Sequence, residues 1–241
     1  MRNSIPTRLG MLFVASFSLC AAAEDLDSGL VAKIAAAERL RDSEVGEVRS
    51  TRKYTLQNPK WKNVATMEAL VIASADGKKH YEILQMKADR MQRIVFQRLL
   101  DGEVQAAQKG DNESAIVPAV YGMRPMNSLG PGGCQMVELI PKKRSKLTIE
   151  GKACVDLNES AVVRLEGRTS KSVSFWVGRP YVRQEFRKVG NYWYSSRNST
   201  TADVTFFGTT ELTIEYLEYS VTPKHGASLL ACIDPCVSAS K

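Results

Sequence analysis

Cysteine and histidine are the side chains of this 241-residue sequence with the widest chemistry: five Cys and two His. A nucleophile–base pair usually draws on an imidazole. His80 sits in the strand-like run Lys79-His80-Tyr81, and His225 in a tail rich in Pro and Gly. Neither has a recognisable motif around it. Glu82, Glu138, Glu166 and Glu185 fall on separate strand-like segments, mostly at positions expected to face water. A structural zinc site usually takes two clustered pairs of ligands, and the two histidines form no such cluster with the cysteines. Gly130-Pro131-Gly132-Gly133 lacks the Gly-Lys-Ser/Thr ending and the following helix of a phosphate cradle, so it reads as a turn. The expectation is a chain without a catalytic centre, a cofactor or a metal.

The cysteines suggest another role. Residues 1–23 have the layout of a cleavable secretory signal. Arg2 and Arg8 lead, an apolar run from Leu9 to Leu19 follows, and Ala21-Ala22-Ala23 precedes Glu24. Cys20 falls within that segment, and Leu19 before it is too large for a lipid-attachment site. Four cysteines remain after cleavage, an even number suited to disulfides in an oxidising compartment. Three connectivities are possible. The favoured one is local: Cys134 with Cys154 across a hairpin turning near Arg144, and Cys232 with Cys236 within the tail.

The formal net charge of +7 is spread along the chain, and no aromatic-plus-basic RNA motif accompanies it, so nucleic acid is not an expected partner. The densest basic run is Lys142, Lys143, Arg144 and Lys146. It reads either as a solvated hairpin loop or as a contact for anionic lipid headgroups or an acidic partner.

The elements that must position these residues come in two kinds. Residues 27 to about 45 have helical spacing, with Leu30, Ile34, Ala37 and Leu40 on one stripe. From Val64 the apolar period falls towards 2. Strands are expected at Val64–Ser74, Lys79–Lys87 and Met91–Leu100. Residues 103–132 read as one or two short helices and loops. A meander follows: Cys134–Ile140, Leu147–Asp156, Ala161–Glu166, Ser172–Val177, Tyr181–Lys188, Tyr192–Asn198, Asp203–Phe207 and Glu211–Val221. About eleven strands in one sheet must curl or close. The expected fold is α+β: a curved antiparallel sheet, an incomplete β-barrel, with helices covering the open side. Residues 24–222 form its single domain, and 223–241 a tail carrying the second Cys pair.

Several segments are similar to secreted bacterial proteins of the outer-membrane lipoprotein-sorting superfamily: Arg164-Leu165-Glu166-Gly167, Ser174-Phe175-Trp176, Val189-Gly190-Asn191-Tyr192-Trp193 and Thr210-Glu211-Leu212-Thr213-Ile214-Glu215-Tyr216. Leu139-Ile140-Pro141-Lys142 and Gly151-Lys152-Ala153-Cys154-Val155-Asp156 fit the same spacing. The resemblance spans roughly residues 30–222. It implies a half-barrel closed by helices, with an apolar cavity that takes acyl chains in a periplasmic carrier of lipidated proteins, or an envelope sensor on the same scaffold. No functional residue of that family can be placed on this chain. The apolar positions expected to face such a cavity are Val71, Ile83, Leu139, Val163, Phe175, Val182, Phe186, Val204, Phe206, Leu212 and Ile214. The expected partners are a lipid or a lipidated protein, and an envelope or membrane component.

Overall fold

A computed structural model of the chain describes residues 28–61, 63–110, 115–224 and 229–230. The expected signal segment and the Cys232/Cys236 pair lie outside the described residues. Among the described residues two α-helices, α1 (Ser28–Glu44) and α2 (Arg90–Gln108), accompany eleven strands. These are β1 (Val45–Gln57), β2 (Ala65–Ser74), β3 (Lys79–Lys87), β4 (Tyr121–Leu129), β5 (Gln135–Pro141), β6 (Ile149–Asp156), β7 (Ala161–Thr169), β8 (Tyr181–Val189), β9 (Tyr192–Val204), β10 (Gly208–Pro223) and the two-residue β11 (Leu229–Leu230). Ten of them form one open antiparallel sheet in the order β3-β2-β1-β10-β9-β8-β7-β6-β5-β4, and β11 pairs with the end of β10. The α+β architecture and the strand number agree with the sequence expectation.

Some elements differ. Met91–Leu100 is the first half of α2, not a strand. Asp89 caps it by accepting from the Gln92 amide, while the Gln92 side chain accepts from the Asp89 amide. That reciprocal pair satisfies two otherwise orphaned donors and starts a helix. The described residues of 103–132 contain the rest of α2, the strand β4 and the start of a short 3₁₀ turn at Pro131–Gly133. Ser172–Val177 is a loop whose backbone turns back on itself, Val173 donating to Gly178 O and Ser174 to Val177 O. Tyr192–Asn198 and Asp203–Phe207 merge into β9, which ends at Val204. β1 was not foreseen. On α1, Ile34 is buried with Leu30 and Val31 beside it, but Leu40 is 52% exposed, so only the first half of the stripe meets the sheet.

Directly opposed residues of an antiparallel ladder share a face, so one face can be followed across the whole sheet. Met86, Met67, Tyr54, Ile214, Asn198, Gln184, Leu165, Ala153, Val137 and Pro125 form one such row. Its two ends are apolar and each carries a helix. At one end Phe96 and Leu100 of α2 are buried on Tyr54, Leu56, Ala65, Met67 and Val71. At the other, Ile34 of α1 is buried on Val137, Leu139, Ala153, Val155 and Leu165. A parallel row contains Gly167 opposite Gly151. A Cβ built on Gly167 would stand 2.8 Å from the Gly151 Cα and closer still to the Glu150 carbonyl oxygen. Only glycine allows the strands to bend this tightly toward the helix-covered side, which is therefore the concave face.

The convex face is wet and its charges alternate. One row reads Arg124, Glu138, Lys152, Glu166, Arg183. A second reads Arg164, Glu185, Arg197, Glu215, Lys53, Glu68. Close pairs include Lys152–Glu166 at 3.0 Å and Arg164–Glu185 at 3.2 Å. Side-chain bonds from Lys152 hold the Glu166 carboxyl below its usual range. Glu138, Glu166 and Glu185 are thus ion-pair partners on the outside of the sheet.

Cys134 and Cys154 form a disulfide with Cα atoms 5.5 Å apart. The strands are in register Met136 to Cys154, one pair displaced from a hairpin centred on Arg144, so Cys134 reaches its partner diagonally. Gly130 bears directly on both sulfurs, where a side chain would collide. The loop closed by the bond has a sequence separation of 20. By loop-closure entropy, a Cys134→Ala/Cys154→Ala chain should lose about 3 kcal/mol in urea unfolding. A loss under about 1 kcal/mol would mean that native packing alone holds this hairpin.

Candidate functional site: a trough between two helices

Between the two helix-covered ends, the concave face is formed by β8, β9 and β10. Val182 and Phe186 come from β8, Leu212 and Ile214 from β10, and Asn198 and Thr200 from the intervening β9. Leu212 and Ile214 pack at the margin of the α2 core, Phe186 at the margin of the α1 core. All but the buried Val182 are half-buried. The polar groups are satisfied locally: Gln184 Nε2 donates to Ser195 Oγ at 2.7 Å, and Thr200 Oγ1 to Asn198 Oδ1 at 3.1 Å. The result is a trough with apolar banks and a narrow polar floor.

The apolar residues singled out from the sequence are distributed unequally. Val182, Phe186, Leu212 and Ile214 line the trough. Leu139 and Val71 lie on the same face but are buried under the α1 and α2 cores. Val204 is half-buried at the end of β9, bridged to Val177. Ile83 is 38% exposed on the edge strand β3. Val163 falls at a register shift of β7 and lines a pocket of about 230 Å³ with Cys134, Cys154, Arg164, Glu185 and Phe186, the last shared with the trough. Phe175 and Phe206 do not reach the concave face: they are 89% and 79% exposed on loops beyond the sheet. They were placed inside by extending period-2 alternation past the ends of real strands. The polar floor was not foreseen, because Gln184, Asn198 and Thr200 occupy inward positions that pattern reasoning assigns to apolar residues.

An ion cluster fixes one bank. Arg52, buried on β1, donates to Ser50 Oγ at 2.8 Å and to both Glu103 oxygens of α2 at 2.9 and 3.1 Å. Lys79 of β3 reaches the same carboxylate at 2.9 Å. The guanidinium lies 4.9 Å from the Tyr216 ring centroid, a cation–π contact. Burial alone would raise the Glu103 pKa, but Arg52 and Lys79 outweigh it and hold the carboxyl below its ordinary 4.5. α2 is therefore tied to two strands by one carboxylate.

Near the opposite bank, the ladder between β9 and β10 stops at the Arg197–Glu215 pair. Beyond it Arg187 Nη2 donates to the Tyr216 and Leu217 carbonyls at 2.8 and 3.2 Å, and Tyr219 Oη to the Ser195 carbonyl at 2.7 Å. These side chains satisfy backbone groups that the ladder leaves open. A small pocket of about 80 Å³ lined by Glu44, Val189, Tyr192 and Val221 lies at that end. Both pockets are smaller than the roughly 300 Å³ lower bound of most small-molecule sites. Among the described residues no group of three or more His, Cys, Asp or Glu is placed to hold a metal ion, and no helix is long and apolar enough to cross a membrane.

No family profile matches the chain, and no curated protein does. Solved structures with a similar course exist. A putative outer membrane lipoprotein-sorting protein domain from Vibrio parahaemolyticus is 11% identical, with 81% of this chain and 92% of that one aligned at a TM-score of 0.42. A DUF1329 family protein from Desulfovibrio piger is 11% identical over 85% and 95% at 0.43. A LolA superfamily protein from Nitrosomonas europaea is 10% identical over 80% and 91% at 0.40. Likeness at this level establishes no residue correspondence, so the chemistry of the trough rests on its own side chains.

Proposed function

We propose that the chain is an exported, non-catalytic binding protein that takes an acyl chain, of a free lipid or of a lipidated protein, into the trough between α1 and α2. The observation that carries this is the half-buried set of Phe186, Leu212 and Ile214 around Val182, left between the two helix-covered cores. Burial of each methylene is worth about 0.8 kcal/mol, and a chain laid along the strands would cover these side chains. The narrow polar floor suits a carbonyl or ester group near the acyl chain. The disulfide accords with an oxidising destination such as the periplasm.

The purified, lipid-stripped chain should bind a fluorescent fatty-acid probe saturably. Thr200→Trp, which fills the floor between Val182 and Leu212, should weaken binding by at least about ten-fold, corresponding to about 1.4 kcal/mol. If the parent chain shows no saturable binding, or if Thr200→Trp binds as well as the parent, the trough is not an acyl site.

A further inference from the structure

Phe175 and Phe206 are not isolated exposed side chains. Trp176 lies between them, its ring centroid 5.1 Å from Phe175 and 5.8 Å from Phe206, and is itself 53% exposed. Val173 and Phe207 are exposed beside them. Two loops carry the cluster: residues 170–180 between β7 and β8, and residues 205–207 between β9 and β10. They are fastened together, Thr205 N donating to Trp176 O at 2.9 Å, with Val177 bridged to Val204. The second loop holds an unfavourable backbone. Phe206 has φ +70, a left-handed conformation that bulky residues rarely adopt. Besides the Thr205 bond, Phe207 N donates to Val204 O, Asn58 Nδ2 to the Phe207 carbonyl at 3.2 Å, and Lys60 Nζ to the Phe206 carbonyl at 2.9 Å. The chain thus accepts local strain and presents three adjacent aromatic rings to water, which a folded monomer has no internal reason to do.

The surroundings of the cluster are basic. The turn carrying Lys142, Lys143, Arg144 and Lys146 packs against the start of the first aromatic loop. Arg144 Nη2 donates to Ser170 O at 3.1 Å, Ser170 N to Thr148 O at 2.7 Å, and Lys171 N to Ser145 O at 3.1 Å. Lys171 continues the run, and Lys60 stands on the other flank. The acidic groups nearby are engaged: Glu150 pairs with Arg144 and Arg179, and Asp203 accepts from Thr209 Oγ1. Exposed aromatic rings with Lys and Arg at their base are the composition that settles at an anionic bilayer surface, rings at headgroup depth and cations on the phosphates.

We propose that this tip docks the protein on an anionic lipid bilayer, with Phe175, Trp176 and Phe206 inserted at the interface and the flanking lysines on the headgroups. The site is separate from the trough, although both lie toward the end of the sheet where β9 ends and β10 begins.

Purified chain would be mixed with vesicles of phosphatidylcholine alone and of a phosphatidylcholine–phosphatidylglycerol mixture. The expected result is co-sedimentation with the anionic vesicles, reduced by salt, with Trp176 fluorescence shifted to the blue and shielded from an aqueous quencher. Phe175→Ser/Trp176→Ser/Phe206→Ser should lower the partition coefficient at least about ten-fold. Lys142→Gln/Lys146→Gln/Lys171→Gln should lower it by about five-fold per charge removed. Neither set should alter the fatty-acid probe titration, and Thr200→Trp should leave vesicle binding intact, so failure of one site is distinguishable from failure of the other. A parent chain that ignores anionic vesicles overturns the proposal, as does an aromatic triple variant that still binds them. So would sedimentation showing a dimer that the triple variant abolishes, which would assign the tip to a second copy of the chain.

Discussion

A Gly167→Ala chain is expected to lose about 3 kcal/mol, lowering the melting temperature by roughly 6–12 °C. The added methyl would meet backbone: the Glu150 carbonyl oxygen and the Gly151 Cα, the latter at 2.8 Å. A flexible side chain could swing aside, but two hydrogen-bonded strands cannot separate without losing ladder bonds. Relief must come from flattening the sheet, which would pull β6 and β7 away from the α1 core that Ala153 and Leu165 complete. Gly178→Ala is the control. Nothing lies within 4 Å of its built Cβ, so it should shift stability by less than about 0.5 kcal/mol. Equal melting temperatures for the two variants would show that the sheet bends elsewhere.

Glu103→Gln should cost about 2 kcal/mol at neutral pH, between the value of an exposed pair and that of a fully buried one. It leaves Arg52 buried without its counter-ion and frees Lys79 as well. The pH dependence separates this loss from a packing defect. Because the folded Glu103 pKa lies below 4.5, its ionised form favours the folded chain. That contribution is full above the unfolded value and disappears as pH falls through the folded one. Urea unfolding at pH 7 should therefore separate parent and variant, and the two curves should approach each other well below pH 4.5. A constant gap across that range would mean that the charge of Glu103 contributes nothing.

Much of the sheet can be read from its alternation. β3 lies where period 2 places it, and β2, β5, β6, β8 and β10 start or end within a few residues of expectation. The failures have physical causes. β1 escapes notice because its buried face begins Ser50, Arg52 before Tyr54 and Leu56, and an arginine at an inward position conceals the pattern. Met91–Leu100 looks like a strand because Ile94, Val95, Phe96, Leu99 and Leu100 form a short apolar run that fits either period, and only the cap at Asp89 distinguishes them. The Arg52–Glu103 pair joins residues 51 positions apart, a separation no local signal spans. For the trough, four apolar positions were legible as inward-facing and the polar floor was not. Phe175 and Phe206 were recognised as notable and given the wrong surroundings, since alternation alone does not reveal where a strand stops.

The alternating charges of the convex face also bear on how the sheet avoids misassembly. A strand that slips by one residue turns its apolar side outward and is rejected by solvation. A slip of two keeps the faces and would otherwise pass. In β6 and β7 the native register sets Glu150 against Arg168, Lys152 against Glu166 and Cys154 against Arg164. Moved by two, Lys152 meets an arginine in either direction, and one direction also sets Glu150 against Glu166. Between β7 and β8, Glu166 faces Arg183 and Arg164 faces Glu185; the same slip sets Glu166 against Glu185 in one direction, and arginine against Arg183 in either. Ion pairs that add little to the folded state thus act as a proofreading code, penalising the nearest misfolded alternative by like-charge repulsion. A chain with many long-range strand pairings, each slow to form, has particular use for such a code.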